Sequence, residues 1–262
     1  MNLATQATDP TLKALLRLAI FLNVFVKFKD ESKFMWLIDR VIARLFNPTF
    51  MTRFTTTIGS TIYFTSEASV LLNQLPRAKT MAHEFVHAYD KKKHGLIKYD
   101  LAYLFPQILA VPALPHLLPG LLLGALMPGM ISAWVTIGLA TLTTTLLGFF
   151  LLGPWTLILL AFLVFAAPIP AYWRMKWEVR GYTMSMAMNY WKHGSIMPST
   201  IEWMATHFTS MNYYAMWPFK KSMIKRLNQA ADDIRSGKVL EDPIFRQVHN
   251  AMKGPPPEGI AP

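Results

Sequence analysis

Residues 77–90 read Arg77-Ala-Lys-Thr-Met-Ala-His83-Glu84-Phe-Val-His87-Ala-Tyr-Asp90, and the His-Glu-x-x-His pentapeptide inside them decides how the rest of the chain is read. The stretch has no Pro or Gly, and Gly95 offers a stop. Its apolar positions, Ala78, Met81, Ala82, Phe85, Val86 and Ala88, predict a helix with one buried side. On such a helix His83 and His87 lie one turn apart and point the same way, so two imidazoles can grip one metal ion. Glu84 sits beside them, where a carboxylate can serve as a general base toward water. With 7 His and 7 Glu in 262 residues, chance supplies the pattern only about 0.004 times per chain. The combination points to a Zn2+ hydrolase site.

Outward from this helix, the next signal is an absence of charge. Residues 101–173, 73 in all, contain no Asp, Glu, Lys or Arg. A bilayer core takes about 20 apolar residues per helix, so the run predicts an integral membrane segment. Pro106, Pro112, Pro115, Pro119 and Pro128 predict a broken, re-entrant or interfacial segment over 101–128, with a kinked span as the alternative. From there, 130–152 and 156–172 are expected to form a transmembrane hairpin with a turn at Gly153-Pro154-Trp155. Tyr172, Trp173 and Trp177, mixed with Arg174 and Lys176, read as an interfacial anchor.

Charge is consistent with a hairpin whose flanks share one side. The net charge is +11, with 14 Lys and Arg before the apolar run and 12 after it, which predicts that the catalytic part is cytoplasmic. No nucleic-acid motif accompanies the basic composition, so the lipid bilayer is the expected partner and nucleic acid is not. Lys91-Lys92-Lys93 reads equally as a headgroup contact or a solvated helix end. Asp90 reads as balancing those lysines, ahead of orienting a ligand imidazole. The chain has no Cys, which excludes disulfides and thiolate ligands.

The remaining segments predict a mainly α chain with a small β element (α+β). Residues 1–50 carry two amphipathic stretches, 12–28 and 33–46, with no cleavable signal peptide. Within 51–100, residues 55–65 read as one or two strands interrupted by Gly59, placed to hold an extended or unfolded peptide substrate by strand addition, or simply to complete a sheet. Residues 174–250 are expected to complete the catalytic part, with an amphipathic helix over 219–235. Met184, Met186 and Met188 read first as core packing, and 251–262 as a disordered tail.

Two His ligands leave a catalytic zinc site one protein ligand short. Glu178 is the first candidate, because a hairpin returns the chain to where it left; Glu202 is the alternative, with His193 and His207 behind it. The competing role for Glu178 is an ion pair with Arg174 or Arg180. Tyr182, His193 and His207 are the candidates for stabilising an oxyanion.

A strand with Gly-x-x-Ile-Tyr-Phe (Gly59–Phe64), a helix bearing HExxH, hydrophobic spans and then Glu-x-x-small at Glu178–Gly181 resemble the membrane-bound gluzincin metallopeptidases of the HtpX and CaaX prenyl protease type. The resemblance covers about residues 55–190, and only HExxH is specific on its own. It implies a zincin-like domain interrupted by the membrane hairpin, Zn2+ on His83, His87 and Glu178, and peptide hydrolysis with Glu84 as general base. The chain departs from the family pattern with Gly181 in place of Ala and Tyr182 in place of Asp. It also lacks a clear pair of spans before the zinc helix. A non-catalytic membrane-inserting or scaffolding protein with a structural metal is the rival. A lipid-modifying metalloprotein is a third class. Cleavage within the membrane fits less well, because the motif is flanked by Arg77, Lys79, Asp90 and Lys91.

Overall fold

The computed structural model describes residues 3–40, 49–127, 129–210 and 215–253. Most of these are helical, with a small three-stranded sheet. The chain forms two compact units, one from residues 1–28, 55–103 and 170–262 and the other from 29–54 and 104–169.

In the first unit, α1 (Pro10–Phe21) starts at Asp9, whose carboxylate accepts from the Leu12 amide at 3.0 Å, with Pro10 pre-set at the first turn. The chain then reverses at Asn23 (φ +55°) and continues as β1 (Phe25–Phe28). The segment 12–28, expected as one helix, is therefore a helix and a strand. The Asn tolerates the left-handed turn, and β1 gains a parallel ladder with β3. Strands β2 (Thr56–Ile58) and β3 (Thr61–Phe64) form an antiparallel hairpin through Gly59 (φ +58°), giving the order β1-β3-β2 with β2 at an edge. Next come α2 (Gln74–His94), which carries the HExxH motif and ends at Gly95 (φ +85°), and α3 (Leu96–Leu104).

The second unit holds the uncharged run. A 3-10 stretch, Gln107–Ala113, leads into α4 (Leu114–Gly124), followed by α5 (Met130–Leu152), the short α6 (Trp155–Ala161) and a 3-10 turn at Phe162–Ala166. Two helical stretches, Gln107–Gly124 and Ile131–Leu152, are long and apolar enough to cross a membrane. Within 101–128, Pro112 lies in the 3-10 stretch, Pro115 occupies a first-turn position of α4, and Pro119 lies inside it. Residues 156–172 do not form a second long helix, since the regular α-helix ends at Ala161.

Helices α4 and α5 approach closely at Gly120 and Gly124, a small-xxx-small spacing. A Cβ on Gly120 would lie 2.9 Å from the Ile137 carbonyl oxygen, and one on Gly124 would lie 2.8 Å from Ile137 Cγ1. One turn earlier, His116 is buried against Gly148, and the Thr144 hydroxyl donates to the His116 carbonyl at 2.8 Å.

The first unit closes with α7 (Tyr172–His193), α8 (Pro198–Thr209), α9 (Lys220–Arg235) and α10 (Pro243–Lys253). Its core joins Phe85 and Val86 of α2 to Met184, Met186 and Met188 of α7, with Leu12, Leu15, Ile62, Phe64 and Phe208 around them. The methionine cluster is core, and the amphipathic helix expected at 219–235 is α9. Of the second amphipathic stretch, Lys33–Ile38 is helical and 41–48 lies outside the described residues. Of the expected tail, 251–253 complete α10 and 254–262 lie outside the described residues.

Candidate metal centre

Two long helices, α2 and α7, lie against each other and build the site. Three ligating groups converge there: His83 and His87 from one helix and Glu178 from the other, all ligand atoms within 4.8 Å of one another. His83 Nε2 lies 3.0 Å from His87 Nε2 and 3.3 Å from Glu178 Oε2, while His87 Nε2 lies 3.7 Å from Glu178 Oε1. A tetrahedral ion with bonds of about 2.05 Å needs ligand–ligand edges of about 3.3 Å, so this donor triangle is the right size. His87 and Glu178 are 6% and 4% exposed, and the His83 side chain is 12% exposed.

The approach of the two helices depends on Gly181, one turn after Glu178. A Cβ there would meet His83 Cε1 and Nε2 at 2.6 Å, so the His83 imidazole occupies the space an alanine methyl would fill. The Tyr182 ring stands perpendicular to that of His83 with centroids 5.0 Å apart.

Two tyrosines of α3, one turn apart, hold the ligands from outside. When His87 keeps Nε2 free for a metal, its Nδ1–H donates to the Tyr99 hydroxyl across 2.9 Å. The Tyr103 hydroxyl donates to Glu178 Oε1 at 2.5 Å. Glu84 points to the sheet, where the Thr57 hydroxyl of edge strand β2 donates to its Oε2 at 2.7 Å.

These contacts set the ionisation of the metal-free site. Burial works against a charge on His83, but the hydrogen bond and the charge of Glu178 outweigh it and raise its pKa. Burial dominates at His87 and depresses its pKa to about 3. Glu178 is buried too, yet its contacts with the two histidines and Tyr103 pull its pKa down. Burial raises the pKa of Glu84 against the pull of His83 and the Thr57 hydroxyl.

Around the ligands, Arg180 clamps the helices. Its Nε and Nη2 donate to both oxygens of Asp90 at 2.9 Å, and Nη1 donates to Asp242 Oδ2 at 2.9 Å. Asp242 also accepts from the Ile244 amide at the start of α10. Asp90 is 1% exposed, so its carboxylate serves this clamp and not the lysines that follow it, which corrects the expectation for that residue. Lys91 pairs with Asp100 at 3.3 Å instead. Arg180 is committed to the two aspartates and Arg174 lies over the Tyr103 ring, while Glu178 faces the histidines.

The other candidates fall elsewhere. Glu202 is exposed on α8 and lies outside the ligand group, and His193 is exposed at the end of α7. His207 sits one ring further out: its centroid is 6.4 Å from that of Tyr182 and 4.0 Å from that of Trp203. Sequence reasoning missed Thr57, Tyr99 and Tyr103. The tyrosines carried a signal, an i,i+4 aromatic pair directly after the HExxH helix. Thr57 carried none, because only the register of the hairpin brings it over Glu84.

Compared with known proteins, the chain matches no family model, no curated protein and no solved structure.

Proposed function

We propose that the chain is a membrane-integrated zinc metallopeptidase that hydrolyses peptide bonds near a membrane surface. The observation that carries this reading is the buried triangle of His83, His87 and Glu178 with the Glu84 carboxylate on the same helix as the two histidines. Two neutral imidazoles and a carboxylate suit Zn2+. The resemblance to HtpX-type gluzincins through HExxH and the later Glu-x-x-small segment supports the same assignment. When bound, the ion would supply Lewis acidity, acidifying water and polarising a carbonyl.

The chain's own groups divide the remaining work. Glu84, with its raised pKa, takes a proton from the attacking water and delivers it to the leaving amine. Thr57 holds that carboxylate in place from β2. The outer edge of β2 is the surface on which an extended peptide would add as a further strand, which would align its backbone beside Glu84. Tyr182, against His83, is the best placed of the three oxyanion candidates, with His207 behind it.

Membrane integration rests on the two long apolar helices and the 73-residue run without charge. The residues that flank the run meet within the first unit, Tyr103 on one side and Arg174 and Glu178 on the other. A chain that leaves and returns at one place crosses an even number of times, which supports two spans and one side for the whole site. The basic flanks support the cytoplasmic side.

A structural metal in a non-catalytic membrane protein is the second reading, favoured by the deep burial of His87 and Glu178. Glu84→Gln separates the two. The peptidase reading predicts that it keeps the metal and loses at least about 100-fold in hydrolysis of unfolded casein by the detergent-solubilised protein. Equal hydrolysis by wild type and Glu84→Gln would remove Glu84 from the chemistry.

A further inference from the structure

Helix α3 carries two faces with different partners. Tyr99 and Tyr103 point inward, to His87 and to Glu178. On the opposite side Ile97 and Leu101 are 75% and 51% exposed, and Leu104 extends the same i, i+4, i+7 stripe. A helix facing water would carry polar residues at these positions. Here the polar residues flank the stripe instead: Lys98 is exposed on one side, Asp100 is half-buried on the other, and Lys92 and Lys93 are exposed one turn upstream.

We propose that α3 is a membrane-surface helix: its Ile97–Leu101 stripe docks into an anionic lipid surface, and this docking holds Tyr99 and Tyr103 against the metal ligands. Two observations select lipid as the occupant. The lysines around the stripe complement anionic headgroups, in a chain of net charge +11. The stripe is also continuous in sequence with the 73-residue uncharged run that begins at Leu101. The consequence is regulatory, because one helix reads the bilayer with its outer face and orients two of the three ligands with its inner face. The metal centre would be tightest when the surrounding lipid is in place and looser when it is stripped. The docking part stands on the stripe alone, while the coupling part rests on the metal-site reading.

The chain has no cysteine, so single-cysteine variants at 97, 98, 100 and 101 can be spin-labelled cleanly in the full protein. The protein is placed in vesicles of phosphatidylcholine with about a third phosphatidylglycerol. The expected result is relaxation by lipid-soluble oxygen at 97 and 101, and by a water-soluble paramagnetic chelate at 98 and 100. Chelate access at 97 and 101 equal to that at 98 would overturn the docking. For the coupling, Ile97→Gln/Leu101→Gln in the same vesicles is expected to bind zinc at least about tenfold more weakly, with Leu72→Gln, a change at an exposed apolar residue outside α3, leaving it unchanged. Zinc affinity equal to wild type in the double variant would overturn the coupling. A wild type that binds no zinc would overturn the metal-site reading and the coupling with it, while the label pattern would still decide the docking.

Discussion

Gly181 reverses an ordinary rule. In a helix interior, alanine is favoured over glycine by about 1 kcal/mol. At 181 the added methyl would lie 2.6 Å from the His83 ring, so that gain is replaced by displacement of a ligand. We expect Gly181→Ala to retain the fold by circular dichroism and to weaken zinc binding more than about tenfold in a chelator competition. Glycine at this position thus has a steric cause in this chain. The ionisation of His83 gives a second prediction at this scale. Its raised pKa means that a proton competes with the metal up to a pH above the ordinary 6.5. Zinc affinity is therefore expected to rise with pH through the folded pKa of His83 and then level off. The metal-free protein runs the other way at this group. The stability gained from the protonated His83 beside Glu178 is complete below about pH 6.5 and is lost as pH rises through the folded value. Metal affinity that stays flat between pH 5.5 and 8.5, measured at constant ionic strength, would contradict the assignment of the proton to His83.

At the scale of elements, the clamp of Arg180 on Asp90 and Asp242 joins α2, α7 and the start of α10. Asp90 is almost fully buried, so removing Arg180 would leave an unpaired carboxylate between two helices. We expect Arg180→Ala to cost about 3 kcal/mol and to lower the denaturation midpoint clearly, whereas Lys238→Ala, which breaks an exposed pair with Asp233, costs less than about 1 kcal/mol. Equal midpoints for the two variants would show that the clamp carries no structural weight. These elements also show what sequence could and could not supply. Helix α2, its buried face and the C-terminal α9 follow from period and stop signals, and Glu178 follows from the idea of a returning chain. The partner of Asp90 did not follow, because nearby lysines are visible in sequence and an arginine 90 positions away is not. The prolines in 101–128 did not decide between a broken segment and a kinked span, because Pro115 sits in a first turn that needs no amide while Pro119 lies inside α4. The close approach of α4 and α5 was legible as Gly120-x-x-x-Gly124 once those segments are read as helices.

For the whole molecule, the metal centre and the two connections to the uncharged run occupy the same end of the first unit. Tyr103 ends that unit's share of α3 and touches Glu178, which lies six residues along α7 from Tyr172, about 9 Å of helix. A bilayer boundary at Tyr172 and Trp173 would place the chemistry about one helix diameter or less from the headgroups, so the account calls for substrates presented at a membrane surface. The chemistry in that account depends on the three-residue metal centre. Its most direct test is the zinc content of the detergent-purified, metal-replete protein beside His83→Ala, Glu178→Ala and Glu84→Gln. The account predicts about one zinc per chain in the wild type and in Glu84→Gln, and loss of that zinc in the other two. Zinc retained at full occupancy by Glu178→Ala, or none in the wild type, would contradict it.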